Sequence, residues 1–443
     1  MNVAEKWIIG AVITGCLIFT LSPGPEHLVN HLTIWEVREQ IVYLTGACAM
    51  SLMVVTMVIS IRLKVLNDLF KGLDKGYLVH KWTGIFTTVF VLLHWLTEYV
   101  PHWLVQLNFI LNPGELTDGS QFSEAEIFLF QSGVTIAEFL FYIFILLVGV
   151  ALIKRIPYSF FRKTHKYFPI VFLLFAYHAG TAQLKEHWIG SAGSYLLFLI
   201  LTIGSLAAIV APFRLVARTR EITGTIKAIA YHKQDILDLY LEIHGQPFIQ
   251  KAGQYAFLQF VHSKEPHPFT IASSSEDPHV LRFAIKGLGD FTKELNKHIE
   301  IGQKVKIEGP YGKFNFEDQL ERQIWIAGGI GITPFMARLE HLSSEGGTKR
   351  PIDFWYCTRG NLESQFPLGI EDLCKDNGVN FYHVDSLSHG YLTADLIKTA
   401  VGDLRNASIW FCGPEKFSKH LRSQLKLYHF DPDKFHYDNF SMR

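Results

Sequence analysis

Four histidines lie in apolar stretches of this sequence that are long enough to cross a membrane. His80 and His94 are separated by 14 residues, and His165 and His178 by 13 residues. An ionisable ring in hydrocarbon is costly and is usually functional, and imidazole is a common axial ligand of haem iron. The pattern therefore predicts two b-type haems, one held by His80 and His165 and the other by His94 and His178.

In a regular helix, the 14-residue spacing would place His80 and His94 on nearly the same face, whereas the 13-residue spacing would not do so for His165 and His178. At about 100° per residue, fourteen residues return to within about 40° of the starting face, whereas thirteen residues miss it by about 140°. Pro169 lies between His165 and His178 and has no amide hydrogen to donate to the preceding turn. We therefore expect a proline kink that brings His178 onto the same side as His165.

Six stretches in the first half of the chain are apolar enough to span a bilayer. Hydrophobic residues make up 49% of the 443 residues, and the long apolar runs all precede residue 213. The predicted spans are 7–22, 41–61, 79–100, 132–153, 167–182 and 190–211. The first span could instead be a signal peptide, although Leu21-Ser22-Pro23-Gly24 is a poor cleavage site. The first half is therefore predicted to be an all-α six-helix membrane bundle.

The charges of the loops predict the orientation of this bundle. Lysine and arginine are frequent after the second and fourth spans, whereas residues 101–131 contain four acidic residues and no lysine or arginine. Positively charged loops stay on the cytoplasmic side. We therefore expect a multi-pass protein of the cell membrane with both termini in the cytoplasm. His80 and His165 would then lie near the inner face, and His94 and His178 near the outer face.

Composition also bears on the partners of the protein. Basic and acidic residues are equal in number, 41 of each, so nothing indicates a nucleic-acid partner. The five cysteines include no CxxC pair, and no disulfide framework is expected. The sequence identifies the lipid bilayer as a partner and points to no particular protein.

The second half of the chain has the pattern of two further domains. Short strands are predicted at 224–230, 236–243, 254–260, 281–285 and 304–308, which favours a small antiparallel β-barrel. After residue 323, strands alternate with helical stretches, as in a parallel sheet with crossover helices. The predicted domains are a transmembrane domain at 1–213, a barrel at 214–318 and an α/β domain at 319–443.

A glycine-rich turn follows the first strand of the predicted α/β domain. Its sequence is Gly328-Gly329-Ile330-Gly331-Ile332-Thr333-Pro334, and it leads from a strand into a helix. Backbone amides and the helix dipole at such a turn can bind a pyrophosphate, which the glycines allow to approach closely. We therefore expect a dinucleotide site here.

Two motifs precede this turn, and together they give the chain a family resemblance. They are His267-Pro268-Phe269-Thr270-Ile271-Ala272-Ser273-Ser274 and Lys286-Gly287-Leu288-Gly289-Asp290-Phe291-Thr292. With them the second half resembles the ferredoxin-reductase superfamily. With the four histidines, nearly the whole chain resembles the membrane branch of that superfamily, the ferric reductase and NADPH oxidase family.

The resemblance implies roles for individual residues. FAD contacts are implied for His267, Pro268, Phe269, Thr270, Ser273, Ser274, Lys286, Gly289 and Thr292. Nicotinamide nucleotide contacts are implied for Gly328, Gly329, Gly331, Thr333, Pro334, Cys412, Gly413 and Pro414. Relatives often end on an aromatic residue that covers the flavin, and Phe440 matches this position although three residues follow it.

Arg359 follows a predicted strand at 353–356. A cation at this place could bind the 2'-phosphate of NADPH, or it could be an ordinary loop charge. The residues expected nearest to the reacting groups are His94, His178, Thr270, Cys412 and Phe440.

The resemblance implies a transmembrane flavohaem oxidoreductase. Electrons would pass from cytoplasmic NADPH, with NADH as an alternative donor, through FAD and two b haems to an acceptor on the outer face. With two histidines per iron, no coordination position is open, so the acceptor is expected to react without binding the metal. Dioxygen, giving superoxide, is the first expectation, and a ferric or cupric chelate is the alternative. A haem-bearing electron-transfer or sensing module with an inactive reductase half is a further alternative.

Overall fold

The computed structural model describes residues 3–26, 33–70, 72–111, 122–185, 188–213, 221–233, 235–263, 265–360, 367 and 369–437. The chain divides into two compact units near residue 216. The first unit is helical, and the second contains two β-sheets.

The helical unit has eight named helices in its described part. They are α1 (Val3–Thr20), α2 (Ile34–Ser60), α3 (Lys64–Leu69), α4 (Leu73–Gln106), α5 (Glu124–Leu152), α6 (Tyr158–His165), α7 (Phe168–Ala182) and α8 (Ala192–Val210). Five helices in the described part, α1, α2, α4, α5 and α8, are long and apolar enough to cross a membrane. The predicted fifth span corresponds to α7, which has only 15 residues.

Capping residues extend two of these helices beyond the apolar runs that predicted them. The Thr33 hydroxyl accepts the N–H of Glu36 at 3.1 Å, so α2 begins at Ile34. Ser123 and Glu126 form a reciprocal capping box that begins α5 at Glu124. Such caps satisfy amides that the first helical turn leaves without partners.

The predicted loop at 101–131 is shorter in the structure. Helix α4 continues through Pro101 to Gln106, and α5 begins at Glu124. The predicted span bounds, an end at Val100 and a start at Ser132, were therefore wrong. Within the unit, α2 packs against α1, α4 and α8, while α5 packs against α7.

The first sheet of the second unit is antiparallel and has six strands. They are β1 (Glu221–His232), β2 (Ile236–Ile243), β3 (Tyr255–Phe260), β4 (His267–Thr270), β5 (Val280–Lys286) and β6 (Lys304–Tyr311), in the order β4-β3-β6-β1-β2-β5. A bridge between Ile271 and Phe283 connects the two edges of the sheet and closes it into a barrel. The five predicted strands are confirmed. The sequence did not predict β4, which is short and contains Pro268.

The second sheet is parallel and has five strands. They are β7 (Arg322–Gly328), β8 (Ile352–Thr358), β9 (Asn380–Asp385), β10 (Ala407–Cys412) and β11 (Phe435–Tyr437), in the order β11-β10-β7-β8-β9. The helices of this unit are α9 (Asp290–Glu294), α10 (Thr333–Ser344), α11 (Ile370–Asp376), α12 (Ala394–Val401) and α13 (Glu415–Leu425). The predicted parallel sheet with crossover helices is confirmed, and its carboxyl edge is where ligands of such sheets bind.

Candidate functional site

The four histidines of the helical unit meet in the two predicted pairs. His80 and His94 both lie on α4, His165 ends α6, and His178 lies on α7. The ring centroids of His80 and His165 are 5.9 Å apart, and those of His94 and His178 are 6.3 Å apart. Among the described residues, no group of three or more histidine, cysteine or acidic side chains is placed to hold a metal ion. From the ring distances alone, each pair is a candidate site with two protein ligands.

The distances within both pairs fit a shared metal ion. A metal lies about 2 Å from an imidazole nitrogen, and the ring centre lies about 1 Å further on, so two axial rings require centroids roughly 6 Å apart. Both observed separations agree with this value. The donor set also fits, because each pair would offer two imidazole nitrogens to hold a haem iron.

Hydrogen bonds fix the orientation of three of the four rings. In each of them Nδ1 lies near a backbone carbonyl oxygen of a neighbouring helix: His80 with Thr56 at 3.1 Å, His94 with Val42 at 2.9 Å, and His178 with Gly133 at 3.2 Å. A ring that donates its Nδ1–H in this way keeps the Nε2 lone pair free for a metal. The Nδ1 atom of His165 is buried without a hydrogen-bond partner within the described residues.

A helix break, and not a kink, separates His165 from His178. Helix α6 ends at His165, Lys166 and Tyr167 form a turn, and α7 begins at Phe168. Pro169 lies in the first turn of α7, where the amide hydrogen that proline lacks would have no helical partner. The expectation of a kink in one continuous helix was therefore wrong, and the change of helix face comes from the turn.

A cavity of about 620 Å³ is lined by both His94 and His178. This volume lies within the range of about 300 to 1,000 Å³ that is usual for ligand pockets. A Cβ added to Gly46, which also lines the cavity, would come within 3.3 Å of the His94 ring. A Cβ added to Gly133 would overlap the side chain of Thr181 on α7. These two glycines therefore allow α2 and α5 to approach the histidines closely.

Charged and polar side chains line part of the same cavity. Arg38 forms an ion pair with Glu98, and Lys185 forms one with Glu39. In addition, Gln183 Oε1 and Trp188 Nε1 are buried and have no hydrogen-bond partner among the described residues. Buried polar atoms without partners are unusual, and a ligand with polar groups would satisfy them. An apolar cavity with polar groups on its wall fits a haem, which is a flat apolar ring carrying two carboxylates.

The two motifs attributed to FAD lie side by side in the barrel. The His267 ring of β4 stacks on the ring of Phe291 in α9, with centroids 3.6 Å apart. The Thr292 hydroxyl accepts the N–H groups of Leu288 and Gly289, each at 3.0 Å. Thr292 therefore holds the turn that begins α9. Lys286 is the last residue of β5, just before this turn.

The remaining barrel residues of the FAD prediction are partly buried around β4. Pro268, Phe269 and Thr270 pair with β3, and all three are half-buried. Phe269 also packs against the core of the barrel, so part of its surface has a structural role. Ser273 and Ser274 follow β4, and Gln250 Nε2 donates to both of their carbonyl oxygens at 3.0 Å.

The glycine-rich turn lies directly against the loop that follows β10. A Cβ added to Gly331 would overlap the backbone of Cys412, and one added to Gly328 would come within 2.8 Å of Pro414. Thr333 opens α10, with Pro334 in its first turn. The structure thus brings the predicted nucleotide residues, Gly328 to Pro334 and Cys412 to Pro414, together at the carboxyl edge of the parallel sheet.

Arg359 is exposed at the same edge, directly after β8. Its neighbour Gly360 donates its N–H to Asp385 at 2.8 Å. Hydrogen bonds from the backbone of Gly360 and Leu387 lower the pKa of Asp385, so this carboxylate stays charged and holds the turn after β8. Sequence reasoning did not single out Asp385. Phe440 lies outside the described residues.

Comparisons with known proteins identify both parts of the chain. Residues 45–176 match the family model described as "Ferric reductase like transmembrane component", and residues 222–315 match the model described as "FAD-binding domain". The first region contains three of the four histidines and ends two residues before His178. The second region contains both motifs attributed to FAD.

Individual relatives support the same division. Over 240 residues the chain is 26% identical to "Propane 2-monooxygenase, reductase component" of Gordonia sp. (strain TY-5), an alignment that covers 51% of this chain and 69% of that protein. Over 286 residues it is 26% identical to a superoxide-generating NADPH oxidase heavy chain of Dictyostelium discoideum, with 58% of this chain and 52% of that protein covered. The chain therefore spans about half the length of the Dictyostelium protein.

A solved structure also shares the fold. The flavohemoglobin from Malassezia yamatoensis aligns with a TM-score of 0.50 at 16% identity, covering 91% of this chain and 98% of that chain. Taken together, the family matches show that the chain combines a ferric reductase-like transmembrane domain with an FAD-binding domain. The protein is therefore an oxidoreductase with a membrane domain and an FAD-binding domain.

Proposed function

We propose that the chain is a six-span oxidoreductase that takes electrons from cytoplasmic NADPH and delivers them to dioxygen on the outer face, giving superoxide. The observation that carries this proposal is the pair of histidine sites, with centroids 5.9 and 6.3 Å apart, in a chain that also has an FAD-binding domain. When bound, FAD would accept two electrons from NADPH and release them one at a time, and two b haems would carry them across the hydrocarbon.

The helical unit supplies the ligands and their orientation. His80 and His165 would hold one haem, and His94 and His178 the other. The carbonyl oxygens of Thr56, Val42 and Gly133 keep three of these rings in the tautomer that ligates through Nε2. These carbonyls belong to α2 and α5, so both helices help to orient rings that α4 and α7 carry.

The orientation in the membrane rests on the loop charges. Lysine and arginine follow α2 and precede α7, whereas the segment between α4 and α5 is acidic. Both termini would then lie in the cytoplasm, and the chain would cross the membrane six times, with α7 as the fifth crossing. The domains would be 1–213 in the membrane, 214–318 for FAD and 319–443 for the nucleotide.

The second unit would bind the two soluble cofactors. The half-buried residues of β4, from His267 to Thr270, would border the flavin, and the turns at Ser273 and Gly289 its diphosphate. The turn from Gly328 to Pro334 would bind the nucleotide pyrophosphate, with Cys412 to Pro414 beside the nicotinamide and Phe440 over the flavin. The Pro414 ring lies so close to Gly328, and the Cys412 backbone so close to Gly331, that larger residues would not fit at these two positions.

A ferric or cupric chelate is the second candidate acceptor. The family model that matches residues 45–176 is named after ferric reductases, whereas the Dictyostelium relatives are named as superoxide-generating oxidases. Neither acceptor needs an open metal position, so the two activities would share the same residues. We favour dioxygen because the alignments with those relatives cover more than half of the chain.

One experiment tests the proposed function. Purified full-length protein with added FAD is mixed with NADPH, with and without oxygen, while superoxide, ferrous iron and the haem spectrum are followed together. We expect NADPH oxidation, a reduced b-type spectrum without oxygen, and superoxide with oxygen. Ferrous iron in place of superoxide would establish the second candidate. NADPH oxidation without any change in the haem spectrum would contradict the proposal.

Replacing Arg359 with alanine should weaken binding of NADPH and leave NADH unaffected. An arginine contact with the 2'-phosphate is a charge-assisted bond worth about 1.5 to 3 kcal/mol, or roughly a 10- to 100-fold change in affinity. The measurement is the KM for each nucleotide in steady-state oxidation by the full-length protein.

The matched control for this prediction is Arg405→Ala. Arg405 is also exposed, but it pairs with Asp403 and precedes β10, at the opposite edge of the parallel sheet. We expect no change for either nucleotide in this variant. Equal losses for NADPH and NADH in Arg359→Ala, or no loss for either, would show that Arg359 is an ordinary surface charge.

A further inference from the structure

A partly buried arginine in the second unit bridges two carboxylates from different elements. Arg282 on β5 binds Asp238 on β2 through Nε at 2.9 Å and through Nη2 at 2.8 Å. Its third nitrogen, Nη1, donates to Oε1 of Glu340 on α10 at 3.3 Å. The barrel and the helix that follows the glycine-rich turn are thus connected by one side chain.

Glu340 also contacts the loop attributed to FAD. Its second oxygen, Oε2, accepts the backbone N–H of Ser274 at 3.0 Å. The hydroxyl of the neighbouring Ser273 accepts a hydrogen bond from the backbone N–H of Arg282 at 3.2 Å. The loop is therefore held on one side by Arg282, which belongs to the barrel, and on the other by Glu340, which belongs to α10.

The charges show that Glu340 is not needed to neutralise Arg282. Asp238 is 3% exposed and binds the arginine through both of its oxygens. Although burial alone would lower the pKa of Arg282, the hydrogen bonds that it donates to Asp238 raise it. Burial raises the pKa of Glu340, outweighing the effects of Ser274 and Arg282. Glu340 is therefore a second, partly buried carboxylate on Arg282, and its contacts extend beyond that arginine to the loop of Ser274.

We propose that Glu340 is a positioning residue that fixes the loop of Ser273 and Ser274 for the FAD diphosphate and couples FAD binding to nucleotide binding. This inference rests on the proposed function, which places FAD at that loop. Helix α10 begins at Thr333, at the end of the glycine-rich turn. Glu340 lies seven residues further, about 10 Å along the helix axis, so a nucleotide that fixes the start of α10 also fixes Glu340.

The coupling has a thermodynamic consequence. If the bound nucleotide restrains α10 and thereby the loop, it must tighten FAD binding, and FAD must tighten nucleotide binding by the same factor. Coupling between sites is typically about fivefold or more. Removing the hydrogen bonds of Glu340 with Arg282 and Ser274 should abolish this mutual tightening, while the FAD site and the nucleotide site keep their own contacts with the ligands.

The test uses full-length protein, FAD and NADP+, which occupies the nucleotide site without delivering electrons. The dissociation constant for FAD is measured from flavin fluorescence with and without NADP+, in wild type, in Glu340→Ala and in a matched control, Glu345→Ala. Glu345 caps the C-terminal end of α10 and pairs within the same helix with Arg338 and His341. Haem content is measured in parallel, because no haem ligand is altered.

We expect NADP+ to tighten FAD binding about fivefold or more in wild type and in Glu345→Ala. In Glu340→Ala, FAD binding weakens about tenfold, the effect of NADP+ disappears, and haem content stays unchanged. Glu340→Gln keeps the side-chain volume but has one acceptor oxygen in place of two, so it cannot accept from both Ser274 and Arg282. It provides the same comparison if the alanine variant does not fold. We expect it, too, to lose the effect of NADP+.

Three results would overturn the inference. The first is an undiminished effect of NADP+ in both Glu340 variants, and the second is the absence of that effect in wild type. The third, wild-type protein that binds no FAD at all, would overturn the proposed function as well. The first two results leave the proposed function intact, so the two failures are distinguishable.

Discussion

Full-length protein with His94 or His178 replaced by leucine is expected to retain one haem per chain, where wild type has two. Each haem would depend on one ring from α4 and one from the α6 and α7 segment, with centroids 5.9 and 6.3 Å apart in the two pairs. Leucine fills the space of the ring and provides no ligand. Loss of either ligand therefore removes one haem and leaves the other pair in place.

The measurement is haem content per chain by pyridine haemochrome, together with the oxidised and reduced spectra. Two histidine ligands per iron should give low-spin b-type spectra in wild type. His80→Leu and His165→Leu should remove the other haem, so the four variants should fall into two spectroscopic classes. Variants of one pair should resemble each other and differ from those of the other pair.

His102→Leu is the matched control for this series. His102 lies eight residues beyond His94 on the same helix, α4, and lines the same cavity. Its ring lies 5.9 Å from that of Trp35 and is not part of either histidine pair, so the variant separates lining the cavity from holding a metal. We expect this variant to keep both haems. A wild-type preparation with one haem or none after reconstitution, or equal losses in His94→Leu and His102→Leu, would contradict the assignment of the pairs.

The sequence predicted the pairing of the histidines but not the backbone that achieves it. Ring type, spacing and apolar context were enough to predict which histidine meets which. The position of Pro169 showed that the second helix could not be regular, yet the same residue is compatible with a kink or with a new helix start. Whether the chain forms a kink or a new helix depends on how the turn at Lys166 and Tyr167 packs, and the local sequence does not predict that packing.

A similar limit applies to the second unit. Glycine-rich turns and strand patterns are local signals, and they predicted the barrel, the parallel sheet and the turn after β7. The contacts of Arg282 with Asp238 and Glu340 join residues 44 and 58 positions apart, and no local pattern marks them. Strand β4 was missed because it has four residues and includes a proline, although its motif had been recognised.

Detergent-solubilised protein supplied with FAD and NADPH is expected to produce superoxide, and His94→Leu should reduce this output to background. If the outer site is filled by two imidazoles, the acceptor cannot bind the metal and takes a single electron from the edge of the site. One-electron reduction of dioxygen gives superoxide and not water. The activity should therefore require the outer histidine pair as well as the nucleotide site.

The assay is reduction of cytochrome c that superoxide dismutase suppresses, with NADPH oxidation followed in the same sample. His102→Leu serves again as the control and should retain the wild-type rate. Flavin exposed to oxygen can also generate superoxide, so the decisive comparison is between variants that bind FAD equally well. If His94→Leu keeps full dismutase-sensitive output, the electrons leave from the flavin on the cytoplasmic side, and the route across the membrane through His94 and His178 is wrong.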